Sequence, residues 1–84
     1  MTTKILKQND YLESSDLALC VTLCCYGYQI ESINRQGQKA IFLIKRDDKL
    51  DSLIQKYWTH QLRVEPMSFF NSLKEIKSRI YNAG

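Results

Sequence analysis

The residues best suited to chemistry are three cysteines in the first third of the chain. Cys20, Cys24 and Cys25 fall in one predicted helix, where thiolates could bind a metal or attack an electrophile. A structural zinc site needs four ligands, usually from two separate loops, and the sole histidine, His60, is not placed near them. An apolar setting at a helix C-terminus also disfavours the thiolate. We therefore expect buried, unreactive thiols, no metal site and, with adjacent cysteines and an odd count, no disulfide framework.

A second cluster of versatile side chains contains Tyr57, Trp58, His60 and Arg63. Aromatic rings beside a histidine and an arginine can stack a base or hold a phosphate. Tyr57 and Trp58 also complete the apolar stripe of a predicted helix, so we expect them to serve the core first. His60 is then a surface residue at the helix end.

Three carboxylates, Asp47, Asp48 and Asp51, stand near the predicted start of the second helix. Carboxylates at a helix start usually cap free backbone amides, and that explains this cluster better than a metal site. The sequence contains no HExxH motif, no phosphate-binding glycine loop and no Ser-His-Asp order. We expect a protein that is not an enzyme and that needs no cofactor.

Basic residues are concentrated in the second part of the chain. Residues 1–38 carry three basic and four acidic side chains, a net charge of −1, whereas residues 39–84 carry nine and five, a net charge of +4. Basic strips attract phosphate backbones through counterion release. The candidate nucleic-acid-binding residues form one strip on the second strand and its flank, a single arginine, and a second strip on the last helix: Lys39, Lys45, Arg46 and Lys49; Arg63; Lys74, Lys77 and Arg79.

The elements that must position these side chains begin with an apolar helix. Ser14-Ser15-Asp16 is a typical helix start, and Gly27 is a typical helix end. Between them only Thr22 is polar, which indicates an interior helix that is too short to span a bilayer. We predict that this is the central helix of the fold, and that a short edge strand at Lys4–Gln8 precedes it.

A glycine-centred hairpin follows in residues 28–46. A two-residue loop at Gln36-Gly37 would place charged side chains on the core face, so the sequence favours a three-residue loop at Arg35-Gln36-Gly37. This register predicts an inner face of Tyr28, Ile30, Phe42 and Ile44. It leaves an outer face with Ile33, Ile41 and Leu43, for which the chain shows no obvious cover.

Two amphipathic helices complete the chain. The apolar spacing of Leu50, Leu53, Ile54, Tyr57 and Trp58 predicts the second helix. The third is predicted from Glu65 or Pro66 to about Tyr81. Its predicted core stripe is Phe69, Leu73, Ile76 and Ile80, broadened by Phe70.

These elements define a small α+β protein with the order helix–β-hairpin–helix–helix. Its 84 residues form one domain, 1–84, with an ordered core at about 8–82. There is no apolar run long enough for a membrane span, and the N-terminus does not resemble a signal peptide. We expect a cytoplasmic protein that does not contact a membrane.

Several of these features together resemble a known family. They are Gly27-Tyr28, the Arg35-Gln36-Gly37 turn, Val64-Glu65-Pro66, Leu73-Lys74 and Ile80-Tyr81, with aromatic residues at Trp58 and Phe70. The pattern is similar to an uncharacterised family of short bacterial and phage proteins, known as a domain of unknown function, over residues 8 to 82. The resemblance supports the fold and implies a phage or mobile-element setting. It assigns no functional residue, and the cysteine-rich first helix departs from it.

Two functional hypotheses follow. The first is a non-enzymatic binding protein that acts in a nucleoprotein, mobile-element or phage-defence context through its basic surface. The second is a protein-interaction module, either an adaptor, an inhibitor or a self-assembling subunit, with a homodimer as one form. Its candidate interface residues are Ile33, Ile41, Leu43, Trp58 and His60.

Overall fold

The computed structural model describes residues 10–83 and contains three strands and three helices. In chain order they are β1 (Tyr11–Ser14), α1 (Leu17–Cys25), β2 (Ile30–Gln36), β3 (Lys39–Lys45), α2 (Leu50–Trp58) and α3 (Pro66–Ala83). The strands form one antiparallel sheet in the order β1-β3-β2. The predicted α+β class and the order helix, hairpin, helix, helix are confirmed. The predicted strand at Lys4–Gln8 lies outside the described residues, and β1 was not predicted.

Helix α1 has well-defined ends. Asp16 is its N-cap, and the Asp16 carboxylate accepts a hydrogen bond from the Leu19 amide at 3.1 Å. At the other end, Gly27 adopts a φ of 98°. The Gly27 amide donates to the Cys24 carbonyl, and the Tyr28 amide donates to the Leu23 carbonyl. This pair of bonds is a Schellman motif, which satisfies carbonyls that the helix leaves free. Both predicted ends of the helix are therefore confirmed.

The interior position of α1 is also confirmed. Its residues 19–23 are all buried, and they join the sheet residues Ile30, Phe42 and Ile44 in one core cluster with Leu50 of α2 and Ile76 of α3. Thr22, the polar residue of this segment, donates its hydroxyl to the Ala18 carbonyl at 2.8 Å. The helix thus buries no unsatisfied hydroxyl.

The hairpin has a different register from the predicted one. Gln36 pairs with Lys39, so the loop is the two-residue segment Gly37-Gln38, and Gly37 has a φ of 64°. A positive φ at the first loop position only is the pattern of a type II′ turn, which matches the twist of the strands it joins. The three-residue loop is therefore wrong.

An irregularity in β2 explains how this register still buries the apolar residues of the strand. Ile33 pairs with Phe42, whereas Ile30 pairs with Ile44, which leaves Glu31 as an extra residue between them. A bulge of one residue reverses which side of the strand faces the core. Ile30 and Ile33 consequently both pack against the core, and Glu31 is exposed. The predicted outward position of Ile33 is wrong.

Strand β1 completes the sheet beside β3. Leu12 pairs with Ile44 on the inner face, and Glu13 pairs with Leu43 on the outer face. The missed strand is short and contains one strongly apolar inward residue, so alternation over four positions carries little signal. Its pairing with β3 makes β3 the central strand.

The last two helices follow the predicted amphipathic patterns with two exceptions. Leu50 and Ile76 are fully part of the core, and Leu53, Ile54, Tyr57, Phe69, Leu73 and Ile80 pack against it. Trp58 and Phe70, however, are 60% and 51% exposed. Each stands at the edge of its apolar stripe, and the prediction that both belong to the core is wrong. No helix within residues 10–83 is long and apolar enough to cross a membrane.

The N-cap of α1 leads to a stability prediction. Replacing Asp16 by alanine removes the acceptor for the Leu19 amide, and the loss of a helix cap costs about 1 kcal/mol of unfolding free energy. Asp16→Asn keeps a side-chain acceptor at the same place and should lose clearly less. Urea unfolding followed by circular dichroism measures both variants. Equal losses in the two variants would contradict the capping role.

Candidate nucleic-acid interface

The most conspicuous exposed surface lies on α3. Phe70, Lys74, Lys77 and Tyr81 are spaced at i, i+4, i+7 and i+11, and all four side chains are exposed. The same spacing, shifted back by one residue, defines the core stripe of this helix. One residue corresponds to a rotation of about 100°, so the second stripe faces solvent while the first faces α1 and β2. We call these four residues the outer stripe.

The outer stripe combines exposed aromatic rings with positive charge. Phe70 is 51% and Tyr81 is 76% exposed, and the Lys74 ammonium group lies 5.2 Å from the centroid of the Phe70 ring. This distance is within the range of a cation–π contact. The one carboxylate of α3, Glu75, lies elsewhere on the helix, where it lines a cleft with Cys24 and Arg79. The outer stripe therefore presents only positive charge.

Two further cations reach the C-terminal half of α3 from the hairpin. Arg35 donates a hydrogen bond from its guanidinium group to the Ile80 carbonyl at 3.3 Å. Lys39 and Ile80 line one shallow cleft of about 310 Å³. The hairpin turn thus brings Arg35 and Lys39 to the same end of the molecule as the C-terminal half of α3. We call Arg35, Lys39, Lys74 and Lys77 the basic surface.

The first predicted strip is divided by the structure. Lys39 and Lys45 occupy opposite ends of β3, about 20 Å apart at 3.3 Å per residue. Arg46 forms a salt bridge with Asp51. Lys49 follows directly after two aspartates at the start of α2. Lys45, Arg46 and Lys49 therefore do not join Lys39 in one continuous basic strip.

The second predicted strip and Arg63 also change. Arg79 turns towards the sheet and donates to the Ile30 carbonyl at 3.2 Å, away from Lys74 and Lys77. Arg63 lies in the segment between α2 and α3, where its backbone carbonyl accepts a hydrogen bond from the Tyr26 hydroxyl at 2.7 Å. Arg79 thus lies in the cleft that Glu75 also lines, and Arg63 belongs to a different part of the surface.

Sequence reasoning missed three residues of this region, namely Arg35, Phe70 and Tyr81. The helical spacing already contained the signal for the two aromatic residues, because Phe70 and Tyr81 share one face with Lys74 and Lys77. Arg35 could not be found in this way. Its position beside Ile80 depends on the hairpin register and on the packing of α3 against β2.

The predicted protein-interface residues do not form one surface. Ile41 and Leu43 lie on the outer sheet face and are half-buried, whereas Ile33 lies on the inner face opposite Phe42. Trp58 packs edge to face against Tyr57, with ring centroids 5.0 Å apart. His60 is exposed after the end of α2 and has a φ of 63°. A role in a protein interface stays a prediction for four of these residues, namely Ile41, Leu43, Trp58 and His60.

A cleft of about 580 Å³ lies between the end of α1 and the start of α2. The Tyr28 hydroxyl donates to the Asp47 carboxylate at 2.6 Å in this region. This bond lowers the pKa of Asp47, and burial together with the bond raises the pKa of Tyr28 to about 12. Two aspartates and two lysines line the cleft, so its charges balance.

Asp47 also serves the start of α2, as expected from the sequence. Its carboxylate accepts a hydrogen bond from the Lys49 amide at 3.0 Å, and its carbonyl accepts one from Leu50 at 3.3 Å. Among residues 10–83 no group of three potential metal ligands comes together. Asp47 thus has a structural role at the start of α2, and Asp51 forms a salt bridge with Arg46.

The cysteines are free thiols in or beside the core. Cys20 is fully buried, whereas Cys24 and Cys25 are half-buried. Burial raises the pKa of the Cys20 thiol from 9.0 to about 12, and burial also raises the pKa of Cys24. The Cys25 sulfur lies 3.9 Å from the Ser72 hydroxyl oxygen. The prediction of a buried thiol is confirmed for Cys20, whereas Cys24 and Cys25 are less buried than predicted.

The fold defines a small α+β domain in which three helices pack on one face of a three-stranded antiparallel sheet. The sequence model of the domain of unknown function DUF5659 matches residues 9–82, and the chain belongs to that family. The resemblance found in the sequence is thereby confirmed over nearly the range expected. No curated protein and no solved structure matches the chain.

The buried thiols give a prediction about reactivity. With a pKa of about 12, Cys20 has about a thousandfold less thiolate at pH 8 than a thiol with a pKa of 9.0. Iodoacetamide should therefore leave Cys20 unmodified in the folded protein over a time that modifies it fully in urea. Mass spectrometry of the digested protein measures this. Rapid modification of Cys20 in the folded protein would restore a thiol-dependent function as a hypothesis.

Proposed function

We propose that this protein is a non-enzymatic binding protein that contacts nucleic acid through its basic surface. Supporting this proposal, Arg35 and Lys39 of the hairpin lie beside Ile80 near the end of α3, and the same helix carries the exposed Lys74 and Lys77. Such a surface suits a phosphate backbone because each neutralised phosphate releases bound counterions. The placement of two hairpin cations beside the end of the helix that carries Lys74 and Lys77 is the observation that carries the proposal.

The ion pairing and exposure of the cations support a role in binding phosphate. The ion pair found among the described residues is Arg46–Asp51, and it does not involve the basic surface. Lys74 and Lys77 project from one exposed face of a helix, which fixes their spacing. A rigid helix holds charges in register more accurately than a loop does. The two lysines are therefore the strongest candidates for phosphate contacts.

The wider setting of the proposed function follows from the charge of the whole chain. The net charge of +3 is modest, so the affinity of this surface for nucleic acid alone should be modest at physiological salt. Such a protein would gain affinity by joining an existing nucleoprotein complex, in which a second contact supplies the rest. The phage or mobile-element context and the cytoplasmic location stay predictions.

Neutralising the two lysines provides the direct test. In Lys74→Gln with Lys77→Gln, two phosphate contacts are lost, so the slope of log K against log salt should become less steep by about 1.4 for a single strand and 1.8 for a duplex. Fluorescence anisotropy with a labelled oligonucleotide at several salt concentrations measures this slope. Affinity at low salt should fall at least tenfold.

A matched control separates local contacts from net charge. Lys49→Gln with Lys56→Gln removes the same charge from exposed positions at the start and in the last turn of α2. It should change the salt slope far less than the α3 pair does. If both double variants behave alike, or if the unaltered protein binds no nucleic acid at low salt, the proposed function is wrong.

The second candidate function is self-assembly through the outer face of the sheet. Ile41 and Leu43 of the central strand are outside the core cluster and lie on the face opposite the helices. Glu13 and Lys45 on this face provide both signs of charge. A surface with both signs can complement a second copy of itself about a two-fold axis.

Leu43→Lys tests this alternative. If copies of the chain meet at this face, a charge in its centre should convert the dimer to a folded monomer in size-exclusion chromatography with light scattering. Asn71→Lys makes the same change in charge at an exposed position on α3 and should leave the mass unchanged. A monomeric unaltered protein, or a dimer that survives Leu43→Lys, would exclude self-assembly through this face.

A further inference from the structure

We infer that the nucleic acid bound by this protein is single-stranded and that Phe70 and Tyr81 stack on its bases. This inference rests on the proposed function and specifies its ligand. Phosphate contacts alone do not select a single strand over a duplex, because both have a phosphate backbone and the duplex has the higher charge density. The discrimination has to come from side chains that contact the bases, and the outer stripe supplies such side chains.

The order of side chains along the outer stripe fits a single strand. Two rings bracket two ammonium groups over eleven residues, which is about 16 Å along the helix axis. Proteins that bind single strands without sequence preference combine a basic track with aromatic platforms. In the outer stripe, Phe70 and Tyr81 offer the platforms and Lys74 and Lys77 offer the track.

The exposure of the rings favours this ligand over a duplex. Tyr81 is 76% exposed and Phe70 is 51% exposed, although both are large apolar groups next to lysines. In a duplex the bases are already stacked on one another and leave no face free for a ring. A single strand has unstacked bases, and every base has a face that a ring can cover. The rings therefore contribute binding energy only when the ligand is single-stranded.

The contact between Lys74 and Phe70 shows how the stripe can accept a base. The Lys74 ammonium group lies 5.2 Å from the centroid of the Phe70 ring, so this ring holds a cation and is not sealed by core residues. A base that stacks on Phe70 would displace the ammonium group towards a neighbouring phosphate. The lysine exchanges a cation–π contact for an ion pair with the ligand, and no buried group has to move.

The test compares one 12-nucleotide strand of mixed sequence with the duplex formed by that strand and its complement. Fluorescence anisotropy at 50 mM salt should give a dissociation constant at least tenfold lower for the strand. Phe70→Leu with Tyr81→Leu keeps an apolar side chain of similar size at both positions but removes the rings. It should weaken strand binding at least tenfold and change duplex binding less than twofold.

Two further variants distinguish stacking from a structural effect. Phe70→Tyr with Tyr81→Phe keeps both rings and should retain the preference for the single strand. Trp58→Leu removes another exposed ring, on α2, and should also retain it. Circular dichroism and thermal unfolding confirm that each variant is folded, and the ring-exchange variant gives a readout even if the leucine variant unfolds.

The outcomes separate this inference from the proposed function. If the duplex binds as tightly as the strand and Lys74→Gln with Lys77→Gln weakens both, the proposed function stands and the stacking inference is overturned. The same conclusion follows if the leucine variant keeps the preference, or if Trp58→Leu or the ring-exchange variant abolishes it. If neither ligand binds at low salt, both are overturned.

Discussion

The burial of α1 on all sides is the constraint on which the rest of the structure depends. This helix is apolar around nearly its whole circumference, and its residues 19–23 are all buried. A helix of this kind needs cover from several directions at once. The sheet, α2 and α3 supply that cover through Phe42, Leu50 and Ile76. Because the core stripe of α3 packs into the core, the outer stripe has to face solvent.

The bulge in β2 reconciles this core with the hairpin. Without an extra residue, the two-residue turn would bring Glu31 to the inner face in place of Ile30. With it, Ile30 and Ile33 both pack inwards, and Arg35 remains on the inner side at the hairpin end. Arg35 is not buried there, because it reaches the Ile80 carbonyl near the end of α3. In the sequence, the charge of Arg35 on the inner face made a two-residue loop unfavourable. In the structure, that charge is accommodated at the C-terminal end of α3.

These two features explain how far the sequence could predict the structure. Local signals were sufficient where a single segment determines the result: Asp16 and Gly27 set the ends of α1, and the core stripe set the orientation of α3. The hairpin register could not be predicted, because the bulge is favoured by contacts of Ile30 and Ile33 with other elements. The outer stripe was readable from helical spacing. Its association with Arg35 and Lys39 depends on tertiary packing.

A purely structural explanation of the basic surface accounts for only part of it. Cations near a helix C-terminus stabilise the negative end of the helix dipole, and the bond from Arg35 to Ile80 has that effect. The dipole acts within the last turn, whereas Lys74 lies nine residues before Ala83, where α3 ends. The dipole also gives no reason for exposed rings at Phe70 and Tyr81. Helix stability therefore explains Arg35 but not the outer stripe, for which a single-stranded ligand is the proposed explanation.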